Sequence, residues 1–281
     1  MHNSSDSIQL SQIWIYPVKS LGGVRLKNAQ VLREGLKYDR RWMIVGPDGN
    51  FLTQRKFPEM SLLKIQMRED GFNIISAKEN CSALFIPYKS EIKESFEVKV
   101  WNDVVSAVLV NKEADHWLSE RLRMPVRFVA MNENSQRETY VEPTDKRFPI
   151  TFSDDFPLHL ISEASLDDLN NRLSLQVGVE RFRPNLVVKG NLPYSEDEWQ
   201  KFRIGNVMFE NISACERCMM INVDQQSGIK SPEPLKTLAG YRRIDKHILF
   251  GRNIIVEQTG SIREGDLVTF ERIQSPDLPF S

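Results

Sequence analysis

The chain has 281 residues, enough for one large domain or two of ordinary size. Lys plus Arg number 37 and Asp plus Glu 38, a net charge of −1 that excludes a general nucleic-acid binder, and 41% hydrophobic with 27% charged residues excludes a disordered or collagen-like chain. No apolar run approaches the ~18–20 residues that span a bilayer, and the polar start MHNSSDSIQL lacks the basic flank and apolar core of a signal peptide, so the expectation is a cytoplasmic protein with neither nucleic acid nor membrane as partner.

In chain order, short strands come first. Residues 12–16 and 24–32 alternate apolar and polar side chains, and 42–45 with 51–54 read as a hairpin around Asp48-Gly49. Further strands are expected at 62–67, 72–76 and 96–101. Ala114, Trp117, Leu118 and Leu122 then fall at helical spacing within 111–123. A strand at 126–131 and a long polar loop over 132–148 follow. The apolar run 157–161 reads as a strand, and Ser162 caps a helix over 162–173 with Leu166, Leu169 and Leu173 as its buried stripe. Strands at 185–188, 207–212 and 219–223, a short helix at 234–241 and closing strands at 248–256 and 267–273 complete the pattern. Many short strands between turns predict a mainly β fold with some α (an α+β class), built as barrels or sandwiches and dividing near residue 110 into 1–110 and 111–281.

Three cysteines (Cys81, Cys215, Cys218) and four histidines (His2, His116, His159, His247) restrict metal chemistry. They supply no disulfide framework, and a zinc site would need two ligands beyond Cys215 and Cys218 that no second C-x-x-C or H-x-x-x-H provides. A four-cysteine iron–sulfur cluster is out of reach, so no ferredoxin-type domain is expected. Cys215-Glu-Arg-Cys218 is the sharpest feature. It reads as a thiol redox pair, as half a zinc site, as the source of one thiolate for a soft metal, or as two small packed side chains. Arg217 favours the thiolate of a neighbouring cysteine, and a strand at 219–223 argues against the helix that a thioredoxin-type pair opens.

Basic residues stand where strands should end: Lys19-Ser20, Arg40-Arg41, and Arg183 in Phe182-Arg-Pro-Asn185. An ammonium, a hydroxyl and guanidinium forks suit a phosphate, and Asn185 offers an amide to a heterocycle, although each alone reads as an ordinary surface group. His159, inside an apolar strand, reads as a core histidine, and Asp154-Asp155 as a loop pair that caps or is solvated. No Ser-His-Asp spacing, P-loop or dinucleotide fingerprint occurs.

Five segments in order carry a resemblance: Ile13-Trp-Ile-Tyr-Pro-Val-Lys-Ser20, Tyr38-Asp-Arg-Arg-Trp42, Phe182-Arg-Pro-Asn185, Arg217-Cys218 with Val223-Asp224 and Gly228, and Leu249-Phe-Gly251. Together they are similar to the MOSC-domain proteins, among them the mitochondrial amidoxime-reducing component and its bacterial relatives. The resemblance covers nearly the whole chain. It implies an N-terminal MOSC β-barrel domain followed by a MOSC domain, and molybdenum–molybdopterin as the cofactor. By this resemblance Cys218 is the metal ligand, with Cys215 of unassigned role. Lys19, Ser20, Arg40, Asp155, Phe156, Arg183, Asn185, Glu216, Arg217, Cys218 and Asn253 contact the cofactor, and Asp224 is a candidate for proton handling or for a turn. The implied activity is reduction of small N-hydroxylated substrates (amidoximes, hydroxylamines, N-hydroxylated bases). Electrons would come from a separate reductase, ferredoxin or haem protein, since the ferredoxin domain of some relatives is not expected here. A cofactor carrier or sulfur-transfer module is the alternative, and a metal-free thiol redox protein the third reading.

Overall fold

In the strand Gln9–Ile15 the side chains of Leu10, Ile13 and Ile15 are all buried, although 10 and 13 do not share a parity. A bulge between Leu10 and Gln12 resets the alternation, so that all three face one core. This is visible in a computed structural model that describes residues 7–78, 82–89, 94–132, 134–141 and 145–273. Cys81, His2 and the closing segment 274–281 lie outside the described residues.

The largest sheet runs Val24–Leu26, Gln9–Ile15, Leu186–Lys189, Leu158–Ser162, His247–Gln258, Val207–Glu216, Trp199–Ile204, Val268–Ile273. Every neighbouring pair is antiparallel except Leu158–Ser162 with Leu186–Lys189. The last strand curls back to the first ones: Gln9 bridges Leu267, the Leu10 amide donates to the Asp266 carbonyl at 2.9 Å, and that of Val268 to Ile8 at 2.8 Å. Closure removes the exposed edges and makes a barrel, filled by Leu10, Ile13, Leu160, Leu186, Phe202, Phe209 and Ile254 among others.

A second core lies beside it. The sheet Trp42–Val45, Arg127–Ala130, Asp103–Leu109, Ser95–Val100 and the sheet Leu63–Met67, Gly71–Ser76, Leu84–Pro87 enclose Trp42, Ile44, Phe72, Ile74 and Ile86. The helix Lys112–Leu122 closes this core with Ala114, Trp117, Leu118 and Leu122, the expected stripe, and Asn111 caps it by accepting from the Ala114 amide at 2.7 Å. Residues from both sides of position 110 share sheets, since Gln9–Ile15 pairs with Leu186–Lys189 and Trp42–Val45 with Arg127–Ala130. Among the described residues no helix is long and apolar enough to cross a membrane.

Several expectations are corrected. The polar stretch 132–148 is not a plain loop but holds the hairpin Glu138–Val141 with Lys146–Pro149, one face of which buries Val141 and Phe148 against Ile255. Residues 51–54 are not a strand: Phe51 keeps one bridge to Val45, and the chain then turns, with the amides of Lys56 and Phe57 both donating to the Thr53 carbonyl. Residues 219–223 form the 3₁₀ turn Met219–Asn222 instead of a strand: the amides of Ile221 and Val223 donate to the carbonyls of Cys218 and Met220, three residues back, at 3.3 and 3.1 Å. The strands Leu84–Pro87, Asp103–Leu109 and Trp199–Ile204 were not anticipated.

Candidate functional site

Several segments meet in the seam between the barrel and the second core. Among them are the chain leaving Gln9–Ile15, the turn around Arg40, the turn at Thr53 and Arg55, the loop 151–157, the approach to Leu186–Lys189, the end of Val207–Glu216 and the strand His247–Gln258. Between them lies a cavity of about 360 Å³, in the range that takes a small organic ligand or cofactor. Lys19, Ser20, Arg40, Asp155, Phe156, Arg183, Asn185, Glu216, Arg217, Cys218 and Asn253 all line it, whereas Asp224 does not. Residues separated by more than two hundred positions are thus brought to one wall.

Three of the lining residues have left-handed backbone. Ser20, Arg40 and Arg183 have φ of +66°, +49° and +52°, a region that residues other than glycine seldom adopt. At Arg183 the conformation folds the guanidinium inward, where it is 8% exposed and 4.2 Å from the centre of the Tyr16 ring. The Arg40 guanidinium lies 4.5 Å from the same ring. Burial and the neighbouring charge of Arg40 both push the pKa of Arg183 down, so its cation sits there at a cost. Arg40 is partly compensated through Nη1, which donates to Asp39 at 2.5 Å and to Asn185 Oδ1 at 3.0 Å.

Several buried donors in the wall have no partner among the described residues. Arg183 Nη1 donates to the Leu21 carbonyl at 2.7 Å, but Nη2 has no partner among the described residues. Arg217 donates from Nη2 to the Phe182 carbonyl at 2.8 Å and from Nη1 to Cys215 Sγ at 2.9 Å, while its Nε is also buried without a partner. The Ser153 hydroxyl is orphaned in the same way. Buried donors left unmade cost about 1–3 kcal/mol each, so this set is built for an acceptor-rich, anionic guest.

The thiols divide unevenly. Cys218, exposed at the mouth, has Arg55 Nη1 at 3.5 Å from its sulfur. Cys215 sits deeper, and burial pushes its thiol up, with Arg217 opposing. The cation beside Cys218 is therefore Arg55, and Arg217, its neighbour in sequence, serves Cys215 instead. His159 is buried as expected, yet it lines the cavity and accepts from Arg217 through Nε2 at 3.1 Å. Among the described residues no group of three or more His, Cys, Asp or Glu could hold a metal ion.

Other expected residues take definite partners. Lys19 Nζ is committed to the Phe152 carbonyl at 2.7 Å and to Asp154 at 2.5 Å, and Asp154 is held below the usual carboxylate range, Lys19 overcoming the opposite push of burial. Asn185 ties strands together: Nδ2 donates one N–H to the Trp14 carbonyl, and Oδ1 accepts from Arg40 and from the His159 amide. Glu216 pairs with His247 at 2.9 Å, and Asn253 donates to Ser213 at 3.2 Å. Asp224 anchors a turn: Oδ1 accepts from the amides of Gln226 and Ser227 and from the Ser227 hydroxyl, and Oδ2 pairs with Arg181 at 2.8 Å. Asp155 is pushed up by burial and by Asp154, which leaves a protonatable carboxyl in the wall. Thr53, Arg55 and Arg181 line the cavity without having been anticipated.

A profile of the MOSC N-terminal beta barrel domain matches residues 7–125, and one of the MOSC domain matches 147–269. Mitochondrial amidoxime-reducing component 1 of Homo sapiens is 32% identical over 277 residues, covering 92% of this chain and 82% of its own. The chain belongs to the MOSC-domain family. Mitochondrial amidoxime reducing component 2 of Bos taurus is 34% identical with the same coverage. Molybdenum cofactor sulfurase of Oryza sativa subsp. japonica is 36% identical over 87% of this chain, which spans only 32% of that relative's length. A crystal structure of the YUAD protein from Bacillus subtilis aligns over 93% of this chain and 94% of its own, at 10% identity and a TM-score of 0.41. The MOSC domain is a molybdenum-cofactor-binding domain, and one exposed thiol, orphaned guanidinium N–H groups and a cavity of this size fit molybdenum–molybdopterin.

Proposed function

We propose that this MOSC protein is an oxidoreductase that reduces N-hydroxylated compounds (amidoximes, hydroxylamines, N-hydroxylated bases) at a molybdenum cofactor ligated by Cys218, with electrons from a separate reductase, ferredoxin or haem protein. The observation that carries this reading is the exposed Cys218 sulfur at the wall of a cavity whose buried guanidinium groups have donors to spare. The cofactor, when bound, supplies a metal that changes oxidation state by two electrons. Arg183 and Arg217 would hold its anionic and acceptor atoms, the orphaned Nη2 and Nε being the free donors, and Arg40 adds charge at the Tyr16 ring.

Removal of oxygen from R–NH–OH consumes two electrons and two protons and yields R–NH₂ and water. Asp155 is the side chain suited to hold one of these protons, because its raised pKa keeps the carboxyl protonated further toward neutral pH. Asp224, whose carboxylate is held low once the Ser227, Gln226 and Arg181 contacts outweigh burial, is a turn residue in this reading.

A second reading, a cofactor carrier or sulfur-transfer module, is favoured by the 36% identity to a segment of the plant sulfurase. The coverage of 82% of the amidoxime-reducing components supports the reductase. Protein purified from a cofactor-competent host should consume benzamidoxime with an artificial electron donor. Bound cofactor without turnover would establish the carrier.

A further inference from the structure

Trp101 is an aromatic residue at φ +58°, at the tip of the hairpin Ser95–Val100 with Asp103–Leu109, and it is 48% exposed. A bulky side chain in left-handed backbone persists only where its surroundings fix it, and burial is not what fixes this one. Its contacts point to the mouth of the cavity. The indole Nε1 donates to Asp154 Oδ1 at 3.1 Å, the ring meets Phe51 edge-on at 5.2 Å, and the Arg55 guanidinium lies 4.5 Å from its centre. The backbone of Arg55 is tied as well, its carbonyl accepting from Lys230 Nζ at 2.7 Å. Lys230 belongs to the segment that follows Cys218 in the chain. A cation fixed on both sides in this way loses little further freedom when it meets a partner. The partner it reaches is Cys218 Sγ, at 3.5 Å from Nη1.

We infer that Arg55, positioned by Trp101, donates an N–H···S hydrogen bond to the sulfur through which Cys218 binds the metal, and so sets the reduction potential of the centre. This rests on the proposed role of Cys218 as ligand. A donor on a metal-bound thiolate withdraws electron density from sulfur and favours the more reduced, more negatively charged state of the centre. Arg217 does not supply this contact, since its Nη1 is directed at Cys215 and His159. Arg55 is thus a positioning and tuning residue that sequence order alone does not connect to the C-x-x-C segment.

The test uses the full chain from a cofactor-competent host, as wild type, Arg55→Met, Arg55→Lys and Trp101→Asn. Molybdenum content is measured by elemental analysis, and the potential by a redox titration followed through the paramagnetic molybdenum signal. Arg55→Met should retain metal and shift to a more negative potential, and Arg55→Lys should recover part of the shift. Trp101→Asn suits the left-handed backbone and leaves Arg55 in place but unsupported, so it should shift the same way. Loaded Arg55→Met and Trp101→Asn proteins with the wild-type potential would overturn the inference alone. A wild-type protein without molybdenum would overturn the reading it rests on, and the inference with it.

Discussion

Nε2 of His159 accepts a hydrogen bond from Arg217 at 3.1 Å, while Nδ1 on the same ring lies 3.1 Å from the Arg252 carbonyl oxygen. This pair of contacts assigns the tautomer: Nδ1 carries the hydrogen and the ring is neutral. Burial first, and the Arg217 charge second, hold the His159 pKa well below its ordinary value.

A pH dependence follows with a definite sign. The unfolded chain takes up a proton at this residue near pH 6.5, its ordinary value, and the folded chain only at lower pH. Stability from this group is therefore complete above pH 6.5 and is lost as the pH falls below it, by up to about 1.4 kcal/mol per pH unit. Urea denaturation of wild type and His159→Gln, which still accepts from Arg217, should show a steeper loss for wild type between about pH 6.5 and pH 5. Parallel profiles would mean that His159 titrates alike in both states.

Arg183 carries a buried charge with an unused donor, and in the absence of cofactor that arrangement is unfavourable. Arg183→Met is expected to stabilise the cofactor-free protein by about 1 kcal/mol while lowering cofactor content severalfold. Calorimetry of the stripped protein and pterin analysis of the protein as purified check the two halves. A variant that loses stability and keeps its cofactor would show that Arg183 serves the fold.

Asp224 is expected to matter for the turn and not for loading. Asp224→Ala removes three hydrogen bonds onto Oδ1 and the Arg181 pair, at a cost of about 1–2 kcal/mol for a half-exposed group. Molybdenum content should be retained. Metal loss without destabilisation would return Asp224 to the site.

The two cysteines should separate cleanly. Cys215→Ser keeps an acceptor for Arg217 Nη1 and is expected to retain most of the molybdenum, which also tells against a thiol redox pair. Equal loss of activity in Cys215→Ser and Cys218→Ser would restore that alternative.

What the amino-acid sequence disclosed, and what it concealed, follows from locality. The helix over 112–122 was legible because Ala114, Trp117, Leu118 and Leu122 repeat at a helical period. The turn at Met219–Asn222 was not, since an apolar run reads as a strand and the bonds from the Ile221 and Val223 amides back to the Cys218 and Met220 carbonyls leave no mark on hydropathy. Lys19, Arg40, Arg183 and Arg217 were found through motifs, whereas Arg55 and Arg181 were not. Their partners depend on tertiary contact: Arg55 and Cys218 lie 163 positions apart, and no local pattern links them. Asn185 was selected for its amide, and that Oδ1 accepts from Arg40 and the His159 amide while Nδ2 donates to the Trp14 carbonyl is equally a matter of tertiary contact.

Elemental analysis of the protein from a cofactor-competent host, wild type beside Cys218→Ser, bears most directly on the site. About one molybdenum per chain in the wild type, and almost none in a Cys218→Ser protein that remains folded, is the expected result. A folded variant that binds as much metal as the wild type would contradict ligation by Cys218.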